Sequence, residues 1–117
     1  MTELAASEDA DIESLEIVDE GHLASFTDGD AELERELGDL FANTSRGYLK
    51  RMKEALREER PWSAEAHALK GAGANLGARR VAALARRAEF APPSADQVDA
   101  IEQAISDVEN YFSTKGL

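Results

Sequence analysis

Apolar residues recur along most of this chain at three- and four-residue steps, the spacing of a helix with one face buried. The series Leu33, Leu37, Leu40, Phe41, Thr44, Tyr48, Met52 and Leu56 predicts one long helix, its core stripe widened by Leu49 and Ala55. Asp30, at the end of the turn Thr27-Asp28-Gly29-Asp30, is the expected N-cap. The helix should stop before Pro61, because proline pushes the preceding residue out of the helical region. Pro61 or Ser63 then opens a second long helix, in which Trp62, Ala66, Leu69, Gly73 and Leu76 fall within roughly 40° of one line. Gly77 is expected to break it. Ala78 to Phe90 form the next helix, with Val81, Leu84, Ala85 and Ala88 inward, until Ala91-Pro92-Pro93. Ser94 and Gln97 then fit a capping box, and Val98, Ile101, Ile105, Val108 and Phe112 give the last stripe, until Gly116. Ahead of all these, Asp19 is expected to cap a short helix through about Ser25, with Leu23 and Phe26 turned toward the core. Ile12, Leu15, Ile17 and Val18 are apolar enough to dock loosely. No β-period segment or repeat appears. The pattern predicts an all-α fold, an up-down four-helix bundle with a short leading helix over residues 19–117, after an acidic tail at residues 1–18.

One helix face breaks the usual rule for a surface. On the second long helix His67 lies about 140° from the buried stripe, on the water side. Its neighbours there, Ala64, Ala68, Gly71 and Ala74, are all small, with Lys70 flanking. Exposed helix faces are normally filled with Glu, Lys, Gln and Arg, and a mid-helix glycine costs about 1 kcal/mol against alanine. A smooth face around an imidazole fits the close approach of another protein.

His67-Ala68-Leu69-Lys70-Gly71, then Asn75-Leu76-Gly77-Ala78, then Leu84 and Glu89, resembles the histidine-containing phosphotransfer (HPt) family pattern H-x-L-K-G-x5-G followed by spaced leucines and a terminal Leu-Glu. Every fixed position of the first part is matched. In the second part Ala88 stands where the family has leucine, a change of packing rather than of chemistry. The resemblance implies the same bundle over about residues 19 to 113. It also implies that His67 takes a phosphoryl group through Nε2 from an aspartyl-phosphate and passes it to another aspartate. The partners implied are receiver domains of response regulators and a hybrid sensor kinase, and any Mg²⁺ belongs to the receiver.

The chemistry of the residues agrees with that expectation. An ordinary imidazole, with a pKa near 6.5, is about three-quarters neutral at pH 7 and is then a nucleophile. Lys70, one turn on, can neutralise phosphoryl oxygens. Gly71 leaves room for a partner's backbone, and Asn75 can lend its amide to the rim or to a water. Ala64, Ala68, Ala74, Ala78 and Arg79 complete the expected partner-binding surface, with Arg80 as a second cation for an acidic rim. No phosphate-binding G-x-x-x-x-G-K-[ST] or kinase glycine-rich loop occurs, so a phosphocarrier without catalysis of its own is expected. Ala68 after His67 departs from the His/Glu-then-Pro box of a sensor-kinase dimerisation domain.

Charge narrows the class. The net charge of −11 is unevenly spread: residues 1–40 hold fourteen acids and one base, while residues 46–89 hold eleven bases and five acids. Overall acidity argues against nucleic-acid binding, and the basic middle surrounds His67, where it suits an anionic partner or simple solvation. Without cysteine there is no thiolate metal site, and no paired-histidine motif suggests a metal or other cofactor. The acidic start and the lack of a long apolar run give neither signal peptide nor membrane span, so a cytoplasmic monomer is expected. His22, beside Gly21, has no partner at a useful spacing and reads as a plain surface histidine. A second class stays open, a bundle that docks kinases or receivers without carrying phosphate.

Overall fold

Pro61 and Gly77 divide the middle of the chain where the pattern places the breaks. A computed structural model describes residues 12–115, and among these the fold is all-α, without strands. After a helical turn at 12–14 the helices are α1 (Glu20–Thr27), α2 (Ala31–Arg57), α3 (Ser63–Leu76), α4 (Arg79–Glu89) and α5 (Ala95–Lys115). The first eleven residues of the acidic tail, and Gly116 as the last stop, lie outside the described residues.

The ends of the helices follow from local chemistry. Asp19 Oδ1 accepts from the His22 amide at 3.1 Å, and Asp30 Oδ1 accepts from Glu32 and Leu33 at 3.0 and 3.1 Å. Each carboxylate satisfies amides that a helix start leaves unpaired. At the end of α3, Gly77 turns to φ 90°, a region glycine enters without a side-chain penalty. The amides of Gly77 and Ala78 then reach back to Gly73 O at 3.0 and 2.8 Å, closing the helix. Ser94 Oγ accepts from the Gln97 amide at 3.2 Å, but the return arm of the expected box is missing: Gln97 Oε1 is buried without a partner.

Helix α2 packs on α3 and α5, α3 on α4, and α4 on α5, while α1 leans on α2. Leu23, Leu49, Met52, Trp62, Leu69, Val81, Ile101, Ile105 and Val108 fill the space between. The buried face of α2 is rotated from the one its leucines predict. Glu34, Gly38, Phe41, Ser45, Leu49, Met52 and Ala55 face inward, while Leu33, Leu37, Thr44, Tyr48 and Leu56 are half-buried and Leu40 is 61 % exposed. Fit outweighs apolarity here. A Cβ on Gly38 would lie 2.6 Å from the Phe112 ring, so glycine is what lets α5 close on α2. Glu34 tolerates burial because Lys115 Nζ lies 2.7 Å from one oxygen and Thr27 Oγ1 donates to the other at 2.8 Å. The Lys115 contact holds the Glu34 carboxyl below its ordinary range. Phe26, expected inward, is instead 46 % exposed.

The segment before α1 is fastened down. Val18 belongs to the core, Arg80 Nε donates to Leu15 O at 2.7 Å, and the Asp19 amide donates to Gly77 O at 2.8 Å. Arg80 thereby ties this segment to the first turn of α4.

Where α3 meets α4 the backbones nearly touch. A Cβ on Gly73 would lie 3.0 Å from Ala82 N and 3.2 Å from Ala78 O, atoms that cannot move aside alone. Gly73→Ala is therefore expected to destabilise by about 1–3 kcal/mol, although alanine is intrinsically the better helix former. Thermal melts check this, and a raised melting temperature would mean the two helices separate freely.

Candidate functional site

The buried line of α3 is the predicted one: Trp62, Ala66, Leu69, Gly73 and Leu76 all face the core. Trp62 fixes the start of the helix against α4, its indole Nε1 donating to Ala88 O at 2.9 Å. His67 is consequently held on the opposite face, with 66 % of its side chain exposed.

His67 is not alone there. Glu89, at the end of α4, places Oε2 at 2.8 Å from His67 Nδ1 and Oε1 at 3.1 Å from Lys70 Nζ. Lys70, and after it His67, hold the Glu89 carboxyl below its usual range. An ionised carboxylate can only accept, so the proton of the pair sits on Nδ1 and the lone pair of the neutral ring is on Nε2. The site thus offers a solvent-facing nitrogen nucleophile of fixed tautomer, with an ammonium beside it.

The expected partner-facing residues mostly reach the surface. Ala64, Ala74, Asn75 and Arg79 are exposed, Ala68 and Gly71 half-buried, and a Cβ on Gly71 would meet nothing within 4 Å. Ala78 does not belong with them. The reversal at Gly77 turns it inward, where it is fully buried and leads into α4. Asn75 lies eight residues beyond His67, about 12 Å along the helix, too far for its amide to reach the imidazole. Beside it Phe26, Leu37, Leu40 and Thr44 line an uncharged hollow between α3 and the α1–α2 corner.

Two residues carry more than their sequence context suggests. Glu89 stands in the family-like pattern, but its contact spans 22 residues and depends on how Gly77 folds α4 back along α3. His22 is exposed, yet its Nε2 lies 3.0 Å from Asn75 O and fastens α1 to the end of α3. A carbonyl oxygen only accepts, so Nε2 carries the proton of that bond.

A family model for the Hpt domain matches residues 36–111, from within α2 almost to the end of α5. The chain belongs to that family. Hpt domains carry phosphoryl groups in two-component signalling and interact with receiver domains, as phosphocarriers rather than enzymes with catalysis of their own. The matched span holds the whole His67–Lys70–Glu89 constellation, while α1 and His22 lie ahead of it. Neither the curated proteins nor the solved structures gave a match. Among the described residues of this Hpt domain no cluster of three or more His, Asp or Glu can hold a metal ion, and no helix is long and apolar enough to cross a membrane.

Proposed function

We propose that this chain is a histidine phosphotransfer protein of a multistep relay, in which His67 accepts a phosphoryl group from a receiver aspartate and passes it to another receiver. The single observation that carries the reading is the Glu89 carboxylate bridging His67 Nδ1 and Lys70 Nζ. It leaves Nε2 as the free nucleophile. As Nε2 attacks phosphorus, the bond from phosphorus to the aspartyl oxygen breaks and the aspartate leaves as a carboxylate with the electron pair. The ring keeps its Nδ1 proton and becomes cationic, a charge that Glu89 offsets at 2.8 Å. Lys70, one turn from His67, balances the phosphoryl oxygens in flight. The reverse step returns the group to a second receiver, and the protonated ring is then a good leaving group.

In this reading α2 to α5 are the four helices of an up-down bundle, α1 is the leading helix, and the domain runs from 19 to 117 after an acidic segment. Val18 and Leu15 pin the end of that segment. The partners are response-regulator receivers and a hybrid sensor kinase upstream, and the domain acts as a cytoplasmic monomer.

The direct test is incubation with phosphorylated receiver domains and a search for acid-labile, alkali-stable phosphate mapped to His67. Binding without phosphate uptake from any receiver would overturn the reading in favour of a docking module. Glu89 supplies a finer check. Glu89→Gln keeps an acceptor for Nδ1–H but loses the charge, and Glu89→Leu loses both. Uptake is expected to fall by about tenfold and about a hundredfold, and the Nδ1–H tautomer seen by ¹⁵N NMR should give way only in the leucine variant. Equal rates for all three would leave Glu89 a bystander.

A further inference from the structure

Beyond the reacting residues, the face of α4 that lies along α3 carries Glu89, Arg86, Ala82 and Arg79 at three- and four-residue steps. Between the two helices lies an open hollow of about 380 Å³, floored by Gly73, Ala74 and Ala82 and rimmed by Lys70, Arg79 and Arg86. Its size is that of a small-ligand pocket, enough for a short stretch of chain and too small for a whole helix. The floor is smooth because Gly73 has no side chain and Ala74 and Ala82 have only a methyl group each.

The three cations are engaged to different degrees. Lys70 pairs with Glu89 at 3.1 Å, and Arg79 reaches Glu16 and Asp19 only at 3.9 Å. Arg86 is exposed and makes no ion pair or hydrogen bond within the described residues. Asp19, beside Arg79, is the one acid lining the hollow, and Glu89, outside it, is already shared between Lys70 and the imidazole. The hollow on the other side of α3, toward Phe26 and Leu40, has no charged lining. An acidic element of a docking protein therefore finds its complement on the α4 side of His67.

We infer that the α3–α4 hollow seats an acidic segment of the receiver domain, with Arg86 as the residue that selects and orients it. This rests on the relay reading above and deepens it. The docked receiver then has one orientation, acidic segment over α4 and uncharged surface over Phe26 and Leu40. Rim charges act mainly through association rate and salt dependence, and exposed pairs contribute little once screened.

The test takes the receiver domains of the source genome singly, phosphorylated with acetyl phosphate, and measures transfer to the full chain over a range of receiver concentrations and salt. Arg86→Glu is expected to raise the half-saturating receiver concentration about tenfold at low salt, with the gap closing toward 1 M salt, where charges are screened beyond about 3 Å. Arg86→Lys should restore most of the loss. Arg35→Glu, on the far side of α2, makes the same change of net charge and should leave half-saturation within twofold. If Arg86→Glu matches the parent at every salt concentration, or Arg35→Glu has the same effect as Arg86→Glu, the seat is refuted while the relay reading stands. If no receiver phosphorylates the parent chain, the relay reading falls and takes the seat with it.

Discussion

His67→Gln is expected to abolish phosphoryl uptake and to leave stability within about 0.5 kcal/mol of the parent, the range of ordinary surface substitutions. The two halves of that expectation come from different facts. Loss of uptake follows from the removal of the ring nitrogen that faces solvent, since glutamine has an amide with no nucleophilic lone pair of comparable basicity. The small cost in stability follows from exposure: 66 % of the side chain is in water, and its contact with Glu89 is a surface pair whose other arm, to Lys70, survives. The chain holds two histidines, so residual labelling has one obvious source to examine. His22 is a poor substitute, because its Nε2 is occupied by Asn75 O at 3.0 Å and its ring lies against Gly77. Transfer assays with a phosphorylated receiver, paired with thermal melts, check both halves. Uptake at the parental rate would move the phosphosite elsewhere, and an unfolded variant would mean that the imidazole holds the domain together.

How far the site was legible depended on whether its cause was local. The face of α3 was readable because five buried residues, Trp62 to Leu76, recur at helical spacing without a competing signal. The caps at Asp19 and Asp30 and the stop at Gly77 were readable for the same reason, since each is settled within four residues. Helix α2 misled because apolarity and burial part company there. Gly38 and Ser45 face inward for their small size and Glu34 for its bond to Lys115, some eighty residues away, while Leu40 faces water. Ala78 misled because its place in the family-like stretch says nothing of the reversal at Gly77 that buries it. The role of Glu89 needed the fold itself, because nothing in a one-dimensional pattern brings residue 89 within 2.8 Å of an imidazole at 67.

Gly71 gives the sharpest separation between a docking face and an ordinary helix, because stability and transfer should move oppositely there. A Cβ at this position meets nothing within 4 Å, so the fold has room for larger side chains. Gly71→Ala is expected to stabilise by up to about 1 kcal/mol, since alanine gives up less backbone freedom on entering a helix. Gly71→Gln should fold as well, its side chain lying in solvent one turn beyond His67. The same atoms would stand where a receiver's backbone must come if its aspartate is to reach Nε2 in line. Misplacement on the order of 1 Å can cost about a hundredfold in rate, and a glutamine side chain adds several times that distance. Transfer is therefore expected to fall modestly for alanine and by about a hundredfold for glutamine, while both variants melt no lower than the parent. Gly73→Ala, two residues on, should instead lose melting temperature because its Cβ strikes the α4 backbone, so the pair distinguishes the open side of α3 from its packed side. Parental transfer by Gly71→Gln would mean that no partner approaches this face closely, and the small residues around His67 would then need another cause.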